Sequence, residues 1–114
     1  MKKDNKTIEK KKGLPNNYLE LIKEANQTHD ISILKDIYET REINACDRYG
    51  DSVLHINTLP MEMVKWLLEK GADINLKDKN GMTPLSFQAP YPDRIKEFLK
   101  LGAIIDEKTF ILSG

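Results

Sequence analysis

Between Val64 and Leu85 the chain reads VKWLLEKGADINLKDKNGMTPL. Val64, Leu67 and Leu68 are three and four residues apart, the spacing of one helical face, and Gly71 follows where a left-handed residue can close a helix end. Asp78-Lys79-Asn80-Gly81 has the signature of a type I turn, with Asp first to accept backbone N–H groups and Gly fourth. Thr83-Pro84 offers an N-cap hydroxyl and then a proline at the first helical position, so a new helix starts there. Helix, glycine stop, turn and helix start succeed one another within a stretch whose acids, amides and glycines first suggest an ion-binding loop.

The same order recurs. DRYGDSVLHINTLPMEMVKWLLEKGADIN lies over DKNGMTPLSFQAPYPDRIKEFLKLGAIID without a gap, at an offset of 31 residues. Asp47, Gly50, Leu54, Leu67 and Gly71 match Asp78, Gly81, Leu85, Phe98 and Gly102. Ser52-Val53 is the weaker counterpart of Thr83-Pro84. Pro60 in one unit, and Pro90 and Pro92 in the next, end the first helix early. The spacing predicts a second helix at Met61 to Lys70 and at about Asp93 to Leu101, stopped by Gly71 and Gly102. Ile43-Asn44 matches Ile74-Asn75, so a more polar first unit ends at Asn44. Its apolar positions are Tyr18, Leu21, Ile22 and Ala25, then Ile33, Leu34, Ile37 and Tyr38, with Asn16 or Asn17 as caps. One helix pair cannot bury its own stripe, and about three stacked units are the usual minimum.

At 114 residues the chain is one domain. The formal net charge is zero, but the first twelve residues hold six lysines against Asp4 and Glu9, which leaves 12 cations against 16 acids beyond them. No stretch has the length of a signal peptide's apolar region or of a membrane span, and a single cysteine excludes an internal disulfide. A cytoplasmic protein is expected.

The ion-loop reading of the opening stretch fails on its ligands. Asp78-x-Asn80-Gly81 mimics the middle of a calcium loop, but Leu76 and Phe87 stand where the first carboxylate and the bidentate glutamate belong. KNGMTPL lacks the Lys-Ser/Thr pair of a phosphate-binding loop. His29 and His55 are too few for a metal site, and Cys46 has no sequence-adjacent histidine to activate it. No metal, cofactor, small-molecule substrate or catalytic group is expected, and Ser52 and Thr83 are read as caps. The lysine-rich arm has no interleaved aromatic and no helix to enter a groove, which argues against nucleic acid as the main partner.

Through DRYGDSVLH, VKWLLEKGADIN, DKNGMTPL and FLKLGA the chain resembles the ankyrin repeat family, over about residues 43–106. The resemblance implies an all-α ankyrin solenoid with two clear repeats between divergent N-terminal and truncated C-terminal caps. It divides the chain into a flexible basic arm (1–13), a cap repeat (14–44), two repeats (45–75 and 76–106) and a C-terminal cap (107–114). It implies a non-enzymatic module that binds another protein through its turns, or fingers, and its concave face. Carried over position by position, the contact residues are Arg48, Tyr49, Asp51 and Thr58, with Cys46, in one unit. Lys77, Lys79, Asn80 and Met82, with Ala89, serve in the next.

Ser52, His55, Gly71, Asp78, Gly81, Thr83, Pro84 and Gly102 take structural roles, with His55 tying neighbouring loops together. Departures are the repeat length, 31 rather than the usual 33, Ser86 where His55 has its counterpart, and the amides Asn57 and Gln88 at a position usually held by alanine. Those amides either cap the short helices or face a partner. Trp66 is expected on the longer helix, as core filler or as an exposed anchor. Bacterial-looking relatives include inhibitors or immunity partners of toxins and secreted effectors. An alternative is that the basic arm docks on nucleic acid or an anionic membrane, with the repeats as a spacer.

Overall fold

The computed structural model describes residues 9–106; residues 1–8 of the arm and the whole expected C-terminal cap, 107–114, lie outside the described residues. In chain order the elements are β1 (Lys11–Gly13), α1 (Tyr18–Thr28), α2 (Ser32–Lys35) running on into a 3-10 turn (Asp36–Glu39), and β2 (Arg41–Cys46). A 3-10 turn (Val53–His55), α3 (Met61–Glu69), a second 3-10 turn (Pro84–Gln88) and α4 (Pro92–Lys100) follow.

The expected all-α architecture is corrected by β1 and β2, which form a two-stranded parallel sheet pairing Lys11 with Arg41 and Gly13 with Cys46. Parallel strands need a long crossover, and here the first helix pair supplies it. The register slips between Lys11 and Gly13. The Lys11 N–H donates to the Thr40 carbonyl at 2.9 Å and the Leu14 N–H to the Cys46 carbonyl at 3.1 Å. Residues 11–13, assigned by sequence to a flexible arm, are thus strand, and β2 runs across the expected boundary between residues 44 and 45.

Helices α3 and α4 lie within a residue or so of the periodicity-based ranges, and their ends show why. The Gly71 N–H donates to the Leu68 carbonyl and the Ala72 N–H to that of Leu67. Gly102 and Ala103 bond Leu99 and Phe98 in the same way. Both glycines have φ near +100° (98° and 109°), the left-handed closure that satisfies the last carbonyls. The core is continuous through the units, with Ile22, Leu34, Leu54, Leu59, Met63, Leu67, Leu85 and Phe98 all buried.

Candidate functional site: the fingers and their seams

Each finger is built on one aspartate. Asp47 Oδ1 accepts the N–H groups of Tyr49 (2.8 Å) and Asp51 (3.0 Å), and its carbonyl accepts that of Gly50. Asp78 repeats this with Asn80 (2.8 Å), Met82 (2.9 Å) and Gly81. Gly50 and Gly81 have φ of +82° and +80°, which the turn requires. The fingers also touch. The Lys79 N–H donates to the Tyr49 carbonyl at 3.0 Å, and a Cβ on Gly50 would lie 2.9 Å from the Lys79 nitrogen.

With the backbone committed, the tips are left free to face outward. Arg48 and Tyr49 are exposed, with the guanidinium carbon 5.2 Å from the ring centroid. Together with Cys46 and Leu19 they line a groove of about 480 Å³ between the first unit and the finger. Leu19 and Tyr49 are 54% and 55% exposed, an apolar pair of the kind partners cover. Thr58, Lys77, Lys79, Asn80 and Ala89 are exposed as well. Met82 is half-buried and gives its carbonyl to His55, while Asp51 turns inward toward Asp78 and is not a free tip.

The base of the fingers differs from the cap reading. Ser52, the weaker signal by sequence, caps fully: its Oγ accepts the Leu54 N–H at 3.2 Å, and its own N–H donates to His55 Nδ1 at 3.0 Å. That contact makes Nδ1 the acceptor, so Nε2 carries the proton it donates to the Met82 carbonyl at 3.2 Å. His55, 2% exposed, therefore ties its own turn to the next finger. Thr83 occupies the N-cap position before Pro84, yet its hydroxyl makes no cap bond and is buried without a partner, as is that of Ser86.

Asp51, His55 and Asp78 bring ligand-type atoms within 4.8 Å of one another. Both imidazole nitrogens are already engaged, which leaves the cluster two carboxyl groups and no free nitrogen for a metal. Its two carboxyl groups lie close together and are shifted in opposite directions. Burial first, then the hydrogen bond to Asp78 and the nearby negative charge, push the Asp51 carboxyl up to about 7. Burial also pushes Asp78 upward, but the hydrogen bond from Asp51 and the N–H groups of Met82 and Asn80 outweigh it and hold Asp78 below the usual carboxylate range. Burial lowers His55, which stays neutral.

Sequence reasoning left open what the amides do and overlooked most of them. Asn57 Nδ2 donates to the Phe87 carbonyl at 3.0 Å, across to the next unit. Gln88, fully buried, donates to the Pro84 carbonyl and accepts from Arg94 Nε at 2.7 Å, so it faces no partner. Asn26, one repeat length before Asn57, donates to the Thr58 carbonyl at 2.9 Å. At the other end of each unit, Asn44 Oδ1 accepts the Asp73 N–H and Asn75 Oδ1 accepts the Ile104 N–H, both at 2.9 Å. The Tyr18 hydroxyl donates to Asp47 Oδ2 at 2.9 Å, joining the first unit to the finger. The shared 31-residue spacing of Asn26, Asn57 and Gln88 was the available signal.

Comparison with known proteins agrees with this geometry. A family model described as ankyrin repeats (many copies) matches residues 60–87, from the start of α3 through the Asp78 finger and the turn after it. The ankyrin repeat-containing protein F37A4.4 of Caenorhabditis elegans is 27% identical over 96 residues, which takes in 78% of this chain and 8% of that protein. The chain thus spans a small part of the length of this curated relative. Two aspartate-built fingers, glycine-closed helices and these matches make the chain similar to ankyrin repeat proteins, whose repeats form protein-interaction modules.

Proposed function

We propose that the chain binds a partner protein through the exposed finger tips, with Arg48 and Tyr49 as its anchors. The observation that carries this reading is the exposed arginine stacked on an exposed tyrosine, beside Leu19 and over a groove, on a finger whose turn is held by the Asp47 carboxylate. A rigid aromatic with a guanidinium beside it loses little freedom on binding, and such residues dominate interface energetics. Lys77, Lys79 and Asn80 extend the same surface along the Asp78 finger.

The repeat is in general a binding module rather than a catalyst. The narrower reading, an inhibitor or immunity partner of a toxin, depends on what the fingers capture. Affinity capture with the full chain and with an Arg48→Ala/Tyr49→Ala variant identifies that protein. Its loss with the variant, at an unchanged melting temperature, is the expected result; equal capture by both chains would sink the finger reading. A chain starting at residue 9 keeps β1 and removes most of the lysines outside it. If that truncation alone ended capture, docking through the arm would replace the fingers as the explanation.

A further inference from the structure

We propose that a second site, a basic groove where the first unit meets α3, binds an acidic peptide segment of a partner protein, with its carboxylates on Lys35, Lys70, Arg41 and Lys10 and an apolar side chain on Trp66. The groove has a volume of about 490 Å³, and no finger residue lines it. That is the scale of a small-ligand pocket, with room for a few side chains rather than a folded domain. Its floor is aromatic and apolar. Trp66 is half-buried, its ring centroid lies 6.0 Å from that of Tyr38, and Ile43 lines the same wall.

Four cations surround this floor, and each rests on a neutral group. The Lys35 and Lys70 ammonium groups lie 5.7 Å and 5.6 Å from the Trp66 ring centroid. Lys10 Nζ donates to the Tyr38 carbonyl at 3.1 Å, and Arg41 Nη1 to the Gly13 carbonyl at 2.6 Å. Among the described residues none of the four has a carboxylate within ion-pair distance. A ring face or a carbonyl leaves the positive charge in place, and an incoming carboxylate is the stronger partner. Transfer of Lys35 and Lys70 to carboxylates frees the indole for an apolar side chain.

The charge pattern selects the occupant. Beyond residue 12 the chain carries more acids than cations, so the gathering there of Lys35, Arg41 and Lys70, joined by Lys10 from the arm, goes against its own trend. Asp36 and Glu39 also line the groove. Two fixed carboxylates oppose a continuous phosphate backbone, while a peptide with spaced acidic residues can place its charges around them. The site is separate from the fingers and rests on the protein-binding reading only in taking a protein as the source of the peptide.

Trp66 is the only tryptophan, so its emission reports the groove directly. The probe is an end-blocked pentapeptide of Glu and Asp around a central Phe, titrated into the full chain, with the Gln and Asn version as control. The expected result is a saturable change in emission with the acidic peptide alone, weakened about tenfold or more by raising salt well above physiological strength. Lys35→Gln/Lys70→Gln weakens binding at least about tenfold with an unchanged melting curve, as expected for lost charge-assisted contacts. Arg48→Ala/Tyr49→Ala binds the peptide as the parent does, which separates this site from the fingers. The proposal is overturned by no saturation at millimolar peptide, by equal binding of the control, or by full binding to the double glutamine variant. Tighter binding of a single-stranded oligonucleotide, or emission that changes with protein concentration alone, also overturns it, in favour of nucleic acid or a second copy of the chain.

Discussion

In the finger that starts at Asp47 the carboxylate oxygen holds the N–H groups of Tyr49 and Asp51; in the finger that starts at Asp78 it holds those of Asn80 and Met82, at nearly the same distances. The tips and bases built on this shared backbone diverge. One tip carries Arg48 on Tyr49, the other Lys79 and Asn80. One base has a capping box with Ser52 and His55, while the other has two buried hydroxyls, Thr83 and Ser86, without partners. The difference teaches that the turn is set by one aspartate and one glycine, whereas the hydrogen bonding at the base and the side chains at the tip differ between the two copies.

The sharpest way to break the comparison is at His55. His55→Ala leaves the Ser52 N–H unpaired in a buried site, opens a cavity and removes the tie to the Met82 carbonyl, which keeps the Asp78 N–H, and a loss of about 3 kcal/mol is expected in urea denaturation. Ser86→Ala, at the matching position, removes an unpartnered hydroxyl and should leave stability unchanged or slightly raised. A similar large loss for both would show that the two bases are equivalent after all.

Glycines give the next contrast. Gly50→Ala sets a Cβ against the Lys79 backbone in a left-handed residue and should cost about 2 kcal/mol. Gly71→Ala has the same backbone problem with nothing within 4 Å, so about 1 kcal/mol is expected. Thermal melts of the pair distinguish finger-to-finger contact from backbone strain alone.

The caps should differ by less. Ser52→Ala is expected to cost about 1 kcal/mol, and Thr83→Ala, with no cap bond to lose, under about 0.5 kcal/mol. The reverse order in denaturant midpoints would contradict the hydrogen-bond pattern.

The last contrast is in pH. Asp51 titrates near 7 in the folded chain and near the ordinary aspartate value of about 4 when unfolded. Its protonation therefore adds stability that is fully present below about 4 and lost as pH rises through about 7. His55, lowered by burial, acts in the opposite sense, contributing above about 6.5 and less as pH falls. Asp51→Asn removes the first effect only, so its melting temperature relative to the parent should rise between pH 5 and pH 8. A constant difference would mean that Asp51 is ionised throughout.

Much of this was legible in the sequence, for local reasons. Asp47 and Asp78, Gly71 and Gly102, and the helices around Val64 and Ile95 are determined within a few residues of themselves, by turn geometry, left-handed closure and apolar spacing. The sheet was not legible, because KKG has no apolar alternation and becomes a strand only when the first helix pair brings β2 alongside it. Ser52 looked the weaker cap because its strength comes from His55, three residues on, whose other nitrogen reaches a different finger. The Trp66 groove draws on Lys10, Lys35, Arg41 and Lys70, spread over 60 residues and gathered only by folding.

The closing asparagines bear on how such a chain can be lengthened. Asn44 and Asn75 each reach forward to a backbone N–H that belongs to the following unit, and each connection has the same geometry. The junction is a standard coupling, so a duplicated copy of residues 45–75 spliced after Asn75 would find its acceptor ready and present a second Arg48-Tyr49 tip beside the first. Growth by whole units is open to this architecture, while an insertion of any other length would set asparagine and amide out of step.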